Sequence, residues 1–232
     1  MHRLPHLLFS IVILASSLGV QVHAQAPAVT ALYAVSYVDV NQFARNSMVA
    51  ALRQYRDAIT KEDGFVSVET FEQIGRPGHF AVVETWRDQQ AFDAHASAAS
   101  AKQLRTSLQP FRLSGYDERF YKALNVAPPQ QENPDAIHVL THVDVIPDPK
   151  ADAPGLLTRL ANASQRERGN FRFVILQHAQ RANHFTIIET WQNQRTLDDH
   201  AEAAHTKQYR DTLQPLAGGP LDERLYKSVG IE

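Results

Sequence analysis

The sequence predicts an α+β fold in which two tandem βαββαβ domains pack sheet to sheet as a pseudo-dimer within one chain. The first observation behind this is an internal repeat. Glu84-Thr85-Trp86 recurs 105 positions later as Glu189-Thr190-Trp191, and the same offset carries Val38-Asp39-Val40 onto Val143-Asp144-Val145, His95 onto His200, and Leu108-Gln109-Pro110 onto Leu213-Gln214-Pro215. About a third of positions are identical and no gap is needed, so the units run 31–125 and 136–230. The second observation is the polar, proline-bearing segment 126–135, a semi-rigid solvated linker. The third is hydrophobic periodicity within each unit, alternating over strands and recurring at helical spacing between them.

Taken in order, Leu32 to Val40 alternates: Leu32, Ala34, Ser36 and Val38 face one way and Tyr33, Val35 and Tyr37 the other, as in a strand with both faces in use. Val49, Leu52, Arg56 and Ile59 then fall at helical spacing, and the second unit opens the same helix with Asp152 near the cap and Pro154 in the first turn. Gly64 and Gly169 stop these helices. Strands over Val66 to Ile74 and His79 to Trp86 are joined by Gly75-Arg76-Pro77-Gly78, which suits a tight hairpin. Asp88 and Asn193 cap a second helix that carries Phe92, His95, Ala96 and Ala99 on one face and is closed by Pro110 or Pro215. A last strand runs from about Tyr116 to Leu124. This order is ferredoxin-like, with helices on one face of an antiparallel sheet. Units of about 95 residues make marginal cores, and the bare sheet face needs a cover. Packing the two units together supplies it, forming a dimeric α/β-barrel within one chain and leaving further oligomerisation open.

Residues 1–24 read as a secretory signal peptide: a weakly basic start with Arg3, an apolar run from Leu7 to Val20, and Val22-His23-Ala24 before the cut. The run is shorter than the roughly 20 residues that cross a bilayer, which favours cleavage over an anchor, and no later stretch is apolar enough to span. The expected location is periplasmic or secreted, with no membrane contact after cleavage. Without Cys, export brings no disulfide, thiolate metal site or thiol nucleophile. A formal net charge of −2, one unit more negative once Arg3 leaves, gives no reason to expect nucleic acid as partner. No glycine-rich phosphate loop, nucleophile elbow or zinc-protease motif is present.

Candidate chemistry gathers at Glu-Thr-Trp and the His nine residues beyond the Trp. Trp86 with His95, and Trp191 with His200, place an indole at a strand end and an imidazole one to two turns into the next helix, where both could line one cavity. An indole offers a flat apolar wall, and a near-neutral imidazole can accept a phenolic proton. A packed core with a polar plug uses the same residues. The second unit is richer in histidine, with His138, His142, His178 and His205 where the first has Tyr33, Tyr37, Gln73 and Ser100. His138 and His142 share a strand face and could cluster with His200 and His205. At roughly 3.3 Å per residue the strand pair lies about 13 Å apart, too far for both to bind one ion, and no metal is expected. Glu84 and Glu189 are expected to pair with Arg119 and Arg224 of the last strands.

At these residues the sequence resembles the antibiotic biosynthesis monooxygenase family, which includes quinol-type monooxygenases. Ser164-Gln165-Arg166-Glu167-Arg168-Gly169-Asn170 looks like its Ser-Arg-x-Glu-x-Gly-Asn at the end of the first helix. Phe185 through Glu189-Thr190-Trp191 to His200, then Ala204-His205-Thr206-Lys207, looks like its strand-to-helix pattern with two spaced histidines. The first unit keeps Glu84, Trp86 and His95 but has Ser100 at the second His and Phe65 in place of the Asn. The resemblance implies a pocket between sheet and helices and oxygenation of phenols or quinols without metal, flavin or other cofactor, the substrate's anion supplying the electrons. In that scheme His200, with His142 or His205, serves as base and donor, Trp191 is the ring wall, and His138, Trp86 and His95 are further substrate contacts. A related branch degrades haem with an Asn on the first strand, where this chain has Tyr33, Tyr37, His138 and His142 instead. The expectation is an exported, cofactor-independent monooxygenase of quinol-like or phenolic substrates with its better site in the second unit. A non-catalytic module binding a small aromatic or haem-like ligand is the alternative, and a purely structural exported protein the third.

Overall fold

The computed structural model describes residues 31–126, 134–148 and 151–230; the segment read as a signal peptide and most of the linker lie outside them. The first domain runs β1 (Leu32–Asp39), α1 (Arg45–Ile59), β2 (Phe65–Gln73), β3 (His79–Trp86), α2 (Gln89–Ser97), α3 (Ala99–Leu108) and β4 (Asp117–Asn125). The second repeats it as β5 (Ile137–Asp144), α4 (Ala153–Ser164), β6 (Asn170–His178), β7 (His184–Trp191), α5 (Gln194–Glu202), α6 (Ala204–Leu213) and β8 (Asp222–Ser228). Asp88 accepts a hydrogen bond from the Ala91 amide, Asn193 from Thr196 and Asp152 from Gly155, so each capping residue satisfies an orphan donor of its helix.

The two antiparallel sheets close on each other into one barrel, ordered β1-β3-β2-β8-β5-β7-β6-β4. Its seams join the domains: β2 pairs with β8 from Phe71 opposite Ser228 to Gln73 opposite Tyr226, and β4 pairs with β6 from Tyr121 opposite His178. At these seams each domain pairs backbone groups of an edge strand that its neighbour would otherwise expose. Strand alternation then separates the cores. Tyr33, Val35, Phe71 and Val83 of the first domain meet Leu140, Val174, Leu176 and Ile188 of the second inside the barrel. Outside it, each sheet buries its other face under its own helices, with Trp86 in one of these cores and Trp191 in the other.

Two local expectations change. The buried stripe of α1 is Met48, Leu52, Tyr55 and Ile59, which turns Tyr55 inward and leaves Arg56 at the rim beside Asp57. The second helix of each domain is two helices, broken at Ala98 and Ala203, whose backbones are extended. Gly64 and Gly169 stand several residues past the last helical turn with φ of 78° and 85°. At Gly169 a Cβ would come within 2.6 Å of Thr196, so glycine lets this turn pass under the start of α5.

Because the barrel interior belongs to both domains, they should unfold together. Phe71 packs its ring 4.6 Å from His138 and 6.4 Å from Tyr226, both across the seam. Phe71→Ala should cost about 3–5 kcal/mol and shift a single cooperative transition in denaturant. Two separated transitions, one of them unshifted, would contradict a shared core.

Candidate active site

Glu189 and Trp191 project from the outer face of β7, two residues apart and hence on the same side. Trp191 is fully buried and donates its indole N–H to Glu189 Oε2 at 2.8 Å. His200, in the last turn of α5, stacks on the indole with centroids 4.5 Å apart and planes at 28°. Its Nδ1 lies 2.6 Å from Glu167 Oε1, in the turn that follows α4. His205, in the first turn of α6, brings its Nε2 to within 2.9 Å of the same oxygen. The extended Ala203 between α5 and α6 lets both histidines converge on one carboxylate.

The surroundings decide the protonation states. Burial pushes the Glu189 carboxyl up to about 8, with the Trp191 hydrogen bond pulling the other way. Burial also pushes the His200 imidazole below its ordinary value, against the opposing pull of Glu167. Both groups are therefore uncharged near neutral pH, and the 3.7 Å between His200 Nε2 and Glu189 Oε2 is not an ion pair. With Nδ1–H directed at Glu167, the neutral ring presents Nε2 as an acceptor.

His200 lines a partly enclosed cavity of about 140 Å³, walled by Leu160, Leu197, Leu221 and Leu225 together with Glu189 and Tyr209, and by the polar Gln194, Asp198, Arg210 and Glu223. The Tyr209 hydroxyl is buried there with no hydrogen-bond partner. A shallower groove of about 270 Å³ beside His205 shares Leu160 and Tyr209 with it.

The first domain holds the same framework. Trp86 donates to Glu84 at 2.9 Å, His95 stacks on Trp86 at 4.4 Å, and His95 Nδ1 lies 2.8 Å from Glu62, which also receives the Ser100 hydroxyl. Here Tyr55 of α1 occupies the centre, its hydroxyl 2.6 Å from Glu84 Oε1 and 2.9 Å from His95 Nε2.

Of the residues singled out in the sequence, His200, His205 and Trp191 come together, and Trp86 and His95 form the parallel set. His138 and His142 do not join them. They lie on the inner face of β5, where His138 packs on Phe71 and His142 on Tyr37, with the sheet between them and His200. Burial holds both near 4, so each is neutral. Trp191 is not a cavity wall; it lies behind His200 and fixes the imidazole and Glu189 in place. Arg119 and Arg224 do not reach the glutamates. They pair with Asp117 and Asp222 at the barrel mouth, over the Tyr37 ring. Leu160 and Tyr209 carry parts of the site that the motifs did not single out, and Glu167, present in the motif at the end of the first helix, was given no role there. Glu62 and Glu167 also share the repeat offset, a second signal for this carboxylate.

Glu167, His200 and His205 are also the described residues whose donor atoms, all within 4.8 Å of one another, could hold a metal ion. Their 2.6 and 2.9 Å contacts have hydrogen-bond length, and in the first domain the third position is Ser100, again hydrogen-bonded to the glutamate. The shared feature is a carboxylate that orients an imidazole.

The antibiotic biosynthesis monooxygenase family model matches residues 32–106 and again 136–212. The chain belongs to this family. Among solved structures, a candidate monooxygenase from Fusobacterium nucleatum aligns with a TM-score of 0.75 at 15% identity, covering 86% of this chain and 92% of that one. A candidate monooxygenase from Lactobacillus acidophilus aligns at 0.67 and 15%, covering 86% and 94%. An anthrone oxidase-like protein aligns at 0.71 and 12%, covering 89% and 93%. At these identities the likeness speaks to the fold, which in each case extends over both domains. Comparison with curated proteins finds no match. Within this monooxygenase family fold, the cavity beside His200 is the candidate site.

The raised Glu189 carboxyl has a measurable consequence. The folded chain keeps a proton that the unfolded chain releases near 4.5, so this contribution to stability is complete below about 4.5 and is lost as pH rises through about 8. Glu189→Gln keeps the shape and removes the titration. The stability of the parent relative to this variant, read from denaturant unfolding, should therefore fall between about pH 4.5 and about pH 8; a flat difference would contradict a buried neutral carboxyl.

Proposed function

We propose that the second domain is a cofactor-independent monooxygenase site for single-ring phenols and quinols, in a protein exported after removal of residues 1–24. The cavity of about 140 Å³ against His200 and Glu189 carries the reading. A cavity of about 150 Å³ holds benzene, so this one has the volume for a single aromatic ring and not for a haem-like macrocycle.

The residues supply what such a reaction asks of a protein. His200 Nε2 accepts the phenolic proton, and Glu167 at Nδ1 stabilises the imidazolium that results. Glu189, kept protonated by burial, donates a hydrogen bond to the phenolate oxygen. The leucine walls limit water around the anion. The quinolate then reduces dioxygen: one electron passes to O2, and the radical pair closes to a C–O bond at a ring carbon. The O–O bond breaks as that carbon loses its hydrogen, and the distal oxygen leaves as water. Quinol plus O2 gives hydroxyquinone plus water, with all four electrons drawn from the substrate.

Oxygen uptake with a panel of hydroquinones should reveal turnover that places one atom of labelled dioxygen in the organic product. His200→Gln should lower kcat by about 10²–10⁴. Unchanged turnover in this variant, or no uptake across the panel, contradicts the proposal; ligand-induced thermal stabilisation without product would assign the domain to non-catalytic binding of a small aromatic instead. For export, the chain recovered from the periplasm of a bacterial host should begin at Gln25. Recovery in the cytoplasm with the leader intact would contradict it.

A further inference from the structure

Four aromatic residues of the first domain are leucines at the matching positions of the second. Tyr55, Phe92, Tyr116 and Phe120 become Leu160, Leu197, Leu221 and Leu225, at the constant offset of 105. All four leucines wall the cavity beside His200. In the first domain the rings crowd the equivalent place: Phe92 lies 5.9 Å from His95 and 4.9 Å from Phe120, and Tyr55 lies 5.8 Å from His95. The framework around them is retained, with Glu62, Glu84, Trp86 and His95 matching Glu167, Glu189, Trp191 and His200.

The Tyr55 hydroxyl shows what this framework recognises. It bridges a buried carboxyl at 2.6 Å and an imidazole Nε2 at 2.9 Å. In the second domain Leu160 carries no hydroxyl to bridge Glu189 and His200 Nε2, and the hydroxyl nearest that nitrogen is Thr206, at 3.5 Å. The Tyr209 hydroxyl, whose counterpart is Leu104, stands unpartnered and 95% buried at the cavity's edge.

We infer that the first domain is a self-liganded copy, whose Tyr55 phenol fills the place that a phenolic ligand takes in the second domain, anchored by its hydroxyl between Glu189 and His200. Position 55 and its counterpart 160 then decide which copy is open. This rests on the aromatic-ligand reading of the second domain but not on oxygen chemistry.

Binding of 4-fluorophenol, followed by fluorine NMR under nitrogen, tests it. The parent chain should bind one equivalent. Leu160→Tyr should weaken binding at least tenfold, and Leu160→Phe, which restores the ring without the hydroxyl, should do the same by filling the space. Tyr55→Leu combined with Tyr116→Leu should raise the stoichiometry to two, read only on protein whose cooperative unfolding is retained. Undiminished binding in folded Leu160→Tyr and Leu160→Phe, or no binding by the parent, overturns the inference. If binding behaves as expected but hydroquinones drive no oxygen uptake, the inference stands and the oxygenase proposal falls. If oxygen uptake persists in Leu160→Tyr, the inference falls and the oxygenase proposal requires another site.

Discussion

Each domain depends on a carboxyl group buried under a helix and held by an indole. Glu189 has almost no contact with water, and the Trp191 N–H at 2.8 Å is its fixed partner. Burying a carboxylate without full pairing is costly, so the group is kept neutral, and a neutral acid can donate a hydrogen bond that a carboxylate cannot. The indole that holds the acid also carries the stacked His200, whose orientation is completed by Glu167. One rigid strand end thus positions a donor and an acceptor side by side. The barrel makes this possible by covering the inner face of β7 with the other domain, which leaves the outer face free to support polar groups beneath α5 and α6.

The two copies keep this framework and differ in what is placed over it. In the first, Tyr55 satisfies the acid and the imidazole together, and neighbouring rings fill the space. In the second, leucines and His200 line a cavity of about 140 Å³. The first copy keeps its polar residues with rings packed over them, and its open groove of about 440 Å³ lies elsewhere, beside Glu62, His95 and Ser100. The barrel interior, built jointly by both domains, ties the stability of the open copy to the closed one.

Much of the fold was legible in the sequence because the repeat aligned every element twice. The strand from His79 to Trp86 and the caps Asp88, Asn193 and Asp152 follow from alternation and side-chain chemistry that act locally. The breaks at Ala98 and Ala203 carry neither Gly nor Pro, so no local signal announced them, yet the second is what brings His205 to Glu167. The site was legible in part. Spacing joined Trp191 to His200, but the parity of β5 against β7 was needed to learn that His138 and His142 face the other way. The turning of Tyr55 inward depended on one position of helical phase. The exchange of Tyr55 for Leu160 was present in the repeat, but its meaning required the 2.6 Å contact with Glu84.

The open copy is inferred to receive a phenol where the closed copy holds its own. A crystal structure of the chain soaked with 4-bromophenol, phased on the anomalous signal of bromine, addresses it directly. Bromine is expected in the second domain among the leucines, with the phenol oxygen within hydrogen-bond reach of Glu189 and His200, and none beside Glu84 and His95. Bromine inside the barrel near Tyr37 and His142, or equally in both copies, would contradict it.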